Sequence, residues 1–154
     1  SDPSLDWKRL AQIRSWTKLP VVLKGIMRAD DAAKAVSEGY DGVMVSNHGG
    51  RQVDGGIGAL DALARVTAAV KGRAPVFFDS GVRCGADIFK ALALGAKAVG
   101  IGRPYVYGLA LGGEDGVQTV MEYLLGELDL TMALNGCPTP GDISQDLLTL
   151  NPYS

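Results

Sequence analysis

One unit recurs four times along the chain: a short continuous apolar run, a polar glycine-rich turn, and a segment with helical periodicity. The apolar runs fall at 19–26 (LPVVLKGI), 41–46 (DGVMVS), 75–79 (PVFFD) and 98–101 (AVGI). They are rich in valine and do not alternate apolar with polar residues, which is the pattern of parallel strands covered on both faces. Helical patterns follow at 30–38, 59–71 and 85–94, closed by Gly39, Gly72 and Gly95. A short segment at 104–111 and a long helix at about 116–134 come after the fourth run, and Gly136 and Pro138 stop the long helix. Its Val117, Val120, Leu124, Leu128 and Met132 form the apolar stripe. Residues 1–136 read as one α/β unit and 137–154 as a C-terminal tail that packs on its surface or frays.

Strands alternating with helices give a parallel sheet with right-handed crossovers. An open doubly wound sheet and part of a (β/α)8 barrel both satisfy this pattern. The first strand is not followed by a G-x-G-x-x-G fingerprint; its turn is Gly25-Ile26-Met27-Arg28. The 154 residues fall well short of the roughly 250 of a whole barrel, so a barrel reading makes this about half of one.

Charge and composition narrow the function. Fifteen Lys and Arg against seventeen Asp and Glu give a net charge of −2, with no basic excess to neutralise a nucleic-acid backbone. No apolar run reaches the roughly 20 residues of a membrane span, and no signal peptide is visible at Ser1-Asp2-Pro3-Ser4. Cys84 and Cys137 are far apart, and His48 is the sole histidine, so no metal site is expected. The 21 glycines are about twice the usual share and cluster after the apolar runs, where backbone must turn sharply or approach a ligand.

The polar residues of interest fall at the C-terminal ends of the expected strands: Lys24, then Ser46 and Asn47 with His48 and Arg51, then Asp79, Ser80 and Arg83, then Gly102 and Arg103. In a parallel α/β sheet these ends converge on the rim that holds ligands. His48 and Arg51 share one loop, SNHGGRQVDGG. A neutral imidazole is a natural proton acceptor, and a guanidinium fork matches a carboxylate. Each has an ordinary reading as well, a turn histidine and a solvated ion pair; together they suggest a small acid that loses a proton. Lys24 is either a fixed positive charge facing an electron-rich ring or a strand-end side chain reaching water. The turns Asp79-Ser80-Gly81-Val82-Arg83 and Gly100-Ile101-Gly102-Arg103 suit a phosphate, with glycine backbone and two arginines. Tyr105 and Tyr107 read as core packing, and Cys84 as a small buried cysteine.

LPVVLKGI, VSNHGGRQVDG, FFDSGVRCGADIFKALALGAKAVGIGRP and LTMALNGC, spread over about 5–135, resemble the C-terminal half of the FMN-dependent 2-hydroxy-acid oxidase and dehydrogenase family. RPYVYGLALGGEDGV resembles its lactate oxidase and lactate monooxygenase branch. The resemblance implies strands 5–8 of a TIM barrel, FMN as cofactor, and oxidation of an L-2-hydroxy acid to the 2-oxo acid or its oxidative decarboxylation product. It implies His48 as base, Arg51 on the substrate carboxylate, and Lys24 as a catalytic and flavin-facing cation. Ser46 would touch the flavin. The turn of Asp79, Ser80, Gly81, Val82 and Arg83 would hold ribityl and phosphate, and Gly102 and Arg103 the phosphate. It also implies completion by an N-terminal half-barrel or by a second half-barrel, homo-oligomers, and a soluble cytoplasmic or peroxisomal enzyme. The alternatives are an inactive half-barrel that keeps a phosphate or FMN site, and another FMN barrel such as a type 2 isopentenyl diphosphate isomerase.

Overall fold

The computed structural model describes residues 4–149. Four β/α units follow one another: β1 (Val22–Lys24) and α2 (Ala29–Ser37), β2 (Gly42–Val45) and α3 (Ala59–Val70), β3 (Val76–Phe78) and α4 (Gly85–Ala93), β4 (Ala98–Val99) and α5 (Arg103–Leu134). A further helix, α1 (Trp7–Ser15), precedes them. The strands form one parallel sheet in the order β1-β2-β3-β4, with Lys24 opposite Met44, Val45 opposite Phe78, and Phe78 opposite Val99. Sequential neighbours without a reversal of strand order are the arrangement of a barrel arc, not of a doubly wound sheet.

The period-two alternation of strands sorts the side chains. Leu23, Val43, Val45, Val76 and Phe78 are buried against the helices, while Val22, Lys24, Met44 and Phe77 lie on the other face and are half-buried or exposed. On the helix side Ala32 and Ala35 of α2 are fully buried, as are Ala62, Leu63 and Val66 of α3. Small residues let these two helices lie close together, and burying a side chain such as Leu63 is worth about 1.5–3 kcal/mol. The inward face of α3 is centred on Ala59, Ala62, Leu63, Val66 and Val70; Leu60 and Thr67 sit at its margin.

The strands are shorter than the apolar runs. Gly25, at φ +92°, ends β1, although the run continues to Ile26. The arc is therefore pinned by few residues, and the turns begin immediately at the strand ends. The helix α1, WKRLAQIRS, has no fully buried residue; Trp7 and Leu10, about one turn apart, are half-buried against the core. Its start is fixed by Asp6, whose Oδ1 accepts the Arg9 N–H at 2.8 Å. Lys34 of α2 lies over the Trp7 ring at 4.6 Å, and Arg14 meets Asp41 at 3.4 Å.

Helix α4 starts with a reciprocal cap between Cys84 and Asp87, and Gly85 lets it press onto α5. A Cβ on Gly85 would lie 2.1 Å from the Leu128 nitrogen. The Gly85 N–H also donates to Glu127 Oε2 at 2.8 Å. Beyond this crossing Phe89, Ala93, Leu128 and Met132 form a second apolar cluster with Cys137 and Ile143, so the tail packs as far as it is described. The two helical segments expected after β4 are present as two parts of α5, broken at Gly112 and at Gly113 with φ +57°. The parts touch backbone to backbone: a Cβ on Gly108 would meet the Gly116 carbonyl oxygen at 2.4 Å, and one on Gly116 the Gly108 oxygen at 2.0 Å. Tyr105 and Tyr107, expected in the core, are instead 42% and 56% exposed; two positions apart on α5 they point to different sides, and neither belongs to an apolar cluster. Cys84 is half-buried, not buried, because it caps the exposed start of α4.

Candidate active site

Each chemically distinctive residue is carried to one rim by a strand end. Lys24 is the last residue of β1, Ser46 follows β2, Asp79 follows β3, and Gly102 and Arg103 open α5 after β4. A cavity of about 490 Å³ is lined by Lys24, His48, Gly49, Arg51, Asp79, Ser80, Gly81, Val82, Arg83, Gly102 and Arg103, with Met44, Tyr105 and Val106 completing its wall. Thus His48 and Arg51 share a cavity with both arginines of the anion turns. Ser46 lies at the next cavity, about 550 Å³, which Lys24 and His48 also line.

The floor is a polar cluster. Lys24 Nζ donates to Ser46 Oγ at 2.8 Å and stands 3.1 Å from Asp79 Oδ2. Ser46 is 3% exposed, the one buried polar side chain among the described residues of the core, and its Oγ also accepts the His48 backbone N–H at 3.1 Å. Ser80 Oγ donates to Asp79 Oδ1 at 2.8 Å. Burial pushes the Asp79 carboxyl up, but hydrogen bonds from Ser46, Ser80 and Lys24, with the Lys24 charge, outweigh it and hold the group below its ordinary range.

Above the floor the His48 loop is built from left-handed residues: His48 at φ +56°, then Gly49 and Gly50. Asn47 Oδ1 accepts the Gly50 N–H at 3.1 Å and closes this turn. Ser80 is also left-handed, at φ +89°. Of the three non-glycine residues at positive φ among the described residues, Lys71 caps the end of α3 and the other two, His48 and Ser80, are on the rim, held there by their surroundings. Val82 is buried, so its side chain packs in the core while its turn borders the cavity.

The open geometry suits a phosphate-bearing ligand. A Cβ on Gly81 or Gly102 would meet no protein atom within 4 Å, leaving free space over both turns. Arg83 and Arg103 border that space, and Lys24 supplies a cation at its other end. The arginines and glycine amides offer donors to an anion, Asp79 is an acceptor for hydroxyls, Ser80 can donate or accept, and Lys24 brings a positive charge. Met44, an apolar residue on the inner face of β2, lines the same cavity and carries no polar signal that marks it in the sequence.

A parallel β/α arc that gathers a histidine, a lysine, three arginines and open glycine turns on its C-terminal rim has the form of the ligand-binding end of a β/α barrel. The family model for FMN-dependent dehydrogenase matches residues 1–150. A peroxisomal (S)-2-hydroxyacid oxidase of Arabidopsis thaliana is 55% identical over 145 residues, covering 94% of this chain and 40% of the relative. An L-lactate oxidase of a Nostoc species is 53% identical over 149 residues, covering 97% of this chain and 41% of the relative. Among solved structures, a mandelate oxidase variant with a monooxide FMN adduct superposes with a TM-score of 0.85 at 46% identity, covering 89% of this chain and 44% of that one. The chain belongs to the FMN-dependent dehydrogenase family, whose members are FMN-dependent oxidoreductases and whose architecture is the TIM barrel. It spans about two fifths of the curated relatives it matches. Among the described residues no helix is long and apolar enough to cross a membrane.

Proposed function

We propose that this chain is strands 5–8 of an FMN barrel that oxidises an L-2-hydroxy acid to the 2-oxo acid, or to its oxidative decarboxylation product. The observation that carries the reading is the single cavity that brings His48, Arg51, Lys24 and the two phosphate-suited turns together. Lys24, Ser46, Asp79, Ser80, Gly81, Val82, Arg83, Gly102 and Arg103 are the residues that hold FMN. FMN, when bound, supplies a two-electron acceptor. Arg51 receives the substrate carboxylate in its two-pronged fork, so the hydroxyl-bearing carbon has one orientation. His48 takes a proton as the C–OH carbon becomes C=O and gives up two electrons to the bound acceptor, general-base help that is typically worth ~10²–10⁴-fold. Lys24 keeps a positive charge beside the place where negative charge gathers, while Asp79 and Ser46 fix its position.

The activity needs a completed barrel. Among the described residues the outer edges of β1 and β4 have no strand partner, and Val22 on the inner face is 40% exposed. An N-terminal half-barrel of the same enzyme is the partner that covers both edges, in a soluble, cytoplasmic or peroxisomal homo-oligomer. A guanidinium fork suits carboxylate and phosphate alike; the hydroxyacid and lactate oxidases among the relatives favour a hydroxy acid over the diphosphate substrate of an isomerase.

The test is anaerobic addition of L-lactate to the FMN-loaded barrel, this chain joined by its N-terminal half. Bleaching of the flavin absorbance is expected. Retained flavin that does not bleach with any L-2-hydroxy acid overturns the enzymatic reading and favours an inactive, flavin-holding half.

A further inference from the structure

Gly49 follows His48, and its peptide groups are held from two other strand ends. Its N–H donates to Ser80 Oγ at 3.0 Å, and its carbonyl oxygen accepts from Arg103 Nη2 at 3.0 Å. A serine hydroxyl accepts and donates at once, so Ser80 holds Gly49 while donating to Asp79. The approach of Arg103 is close: a Cβ on Gly49 would lie 3.1 Å from its Nη2. The loop so held carries His48 in a left-handed conformation that a side chain rarely adopts unless its surroundings impose it. Ser80 itself accepts a positive φ to make this contact.

We propose that Ser80 and Arg103 are positioning residues that clamp the Gly49 peptide and so fix the backbone carrying His48. The role of His48 as the base rests on the function proposed above; the clamp does not. The turns that suit the phosphate thereby share a part with the loop that bears the base. Arg103 donates only one of its five N–H groups to Gly49, leaving the rest of its fork for an anion.

The test substitutes Ser80→Gly. Glycine adopts φ +89° without strain, so this variant removes the hydroxyl and keeps the turn. Amide hydrogen exchange is measured at Gly49 in the full chain, with Val43 and Val45 of β2 as references. Exchange at Gly49 is expected to rise about tenfold or more while the β2 amides stay protected. In the FMN-loaded enzyme, kcat is expected to fall about ten- to a hundredfold, with the substrate KM within about twofold. Unchanged exchange at Gly49 overturns the clamp. Faster exchange with an unchanged kcat, or a raised KM with kcat intact, overturns its positioning role. Should the β2 amides also lose protection in Ser80→Gly, Arg103→Met read by the same Gly49 probe decides the matter. A native protein that binds FMN but oxidises no hydroxy acid overturns the proposed function, and the Gly49 exchange still decides the clamp.

Discussion

Lys24 Nζ stands 3.1 Å from Asp79 Oδ2 although a whole strand, β2, separates the strands that carry them. Ser46, at the end of that intervening strand, accepts from Lys24 and bonds Asp79, so three consecutive strand ends close one polar cluster. Nearly half of the Lys24 side chain remains exposed to the cavity, which leaves the ammonium able to face a second, ligand-borne partner.

This cluster sets an acid limit. Asp79 is held below the usual carboxylate value of about 3.9. A depressed carboxyl contributes stability above its unfolded value and loses it as pH falls through the folded one. The rim is therefore expected to keep its order through neutral pH and lose it only below about pH 4. Lys24→Met removes both a hydrogen bond and a charge, so the Asp79 midpoint moves up. Carboxyl carbon NMR of Asp79 checks it; an unmoved midpoint contradicts the cause assigned.

His48→Gln keeps a side chain of similar reach but lacks the proton acceptor. Flavin content is expected to persist while the anaerobic flavin-reduction rate falls ~10²–10⁴-fold. Stopped-flow reduction measures it, and near-normal reduction removes His48 from the base role.

Arg51→Lys keeps the charge and loses the fork. A charge-assisted hydrogen bond is worth about 1.5–3 kcal/mol, so KM for an L-2-hydroxy acid is expected to rise about tenfold or more. Steady-state kinetics decide; an unchanged KM places the carboxylate elsewhere.

Gly85→Ala tests the crossing of α4 and α5. The added carbon would meet the Leu128 nitrogen at 2.1 Å and the Glu127 carbonyl carbon at 2.4 Å, atoms of backbone that cannot swing aside. Overpacking costs typically ~1–3 kcal/mol, occasionally more. A urea midpoint equal to that of the parent chain contradicts the packing described.

The sheet and its rim were legible because both leave periodic traces. Valine-rich runs mark buried strands, and a parallel sheet sends every strand end to one side, so Lys24, Ser46, His48 and Arg103 converge from order alone. The helix α1 was not legible, since its apolar face is short: Trp7 and Leu10 pack on the core, and the Asp6 cap with the Trp7–Lys34 and Arg14–Asp41 contacts holds the rest. Tyr105 and Tyr107 misled because aromatic character speaks for burial, whereas Tyr105 borders the rim cavity and Tyr107 is exposed. The Gly49 clamp depends on contacts between residues 31 and 54 positions apart, and no local pattern records such pairs.

The Gly108–Gly116 touch carries an evolutionary corollary. At each of these sites the obstacle is the other's carbonyl, which belongs to every amino acid alike. No exchange at one position can make room for a larger neighbour, so the pair has no compensatory route. Descendants of this sequence should hold both glycines unchanged instead of trading them together, and covariation would be silent at one of the molecule's tightest points.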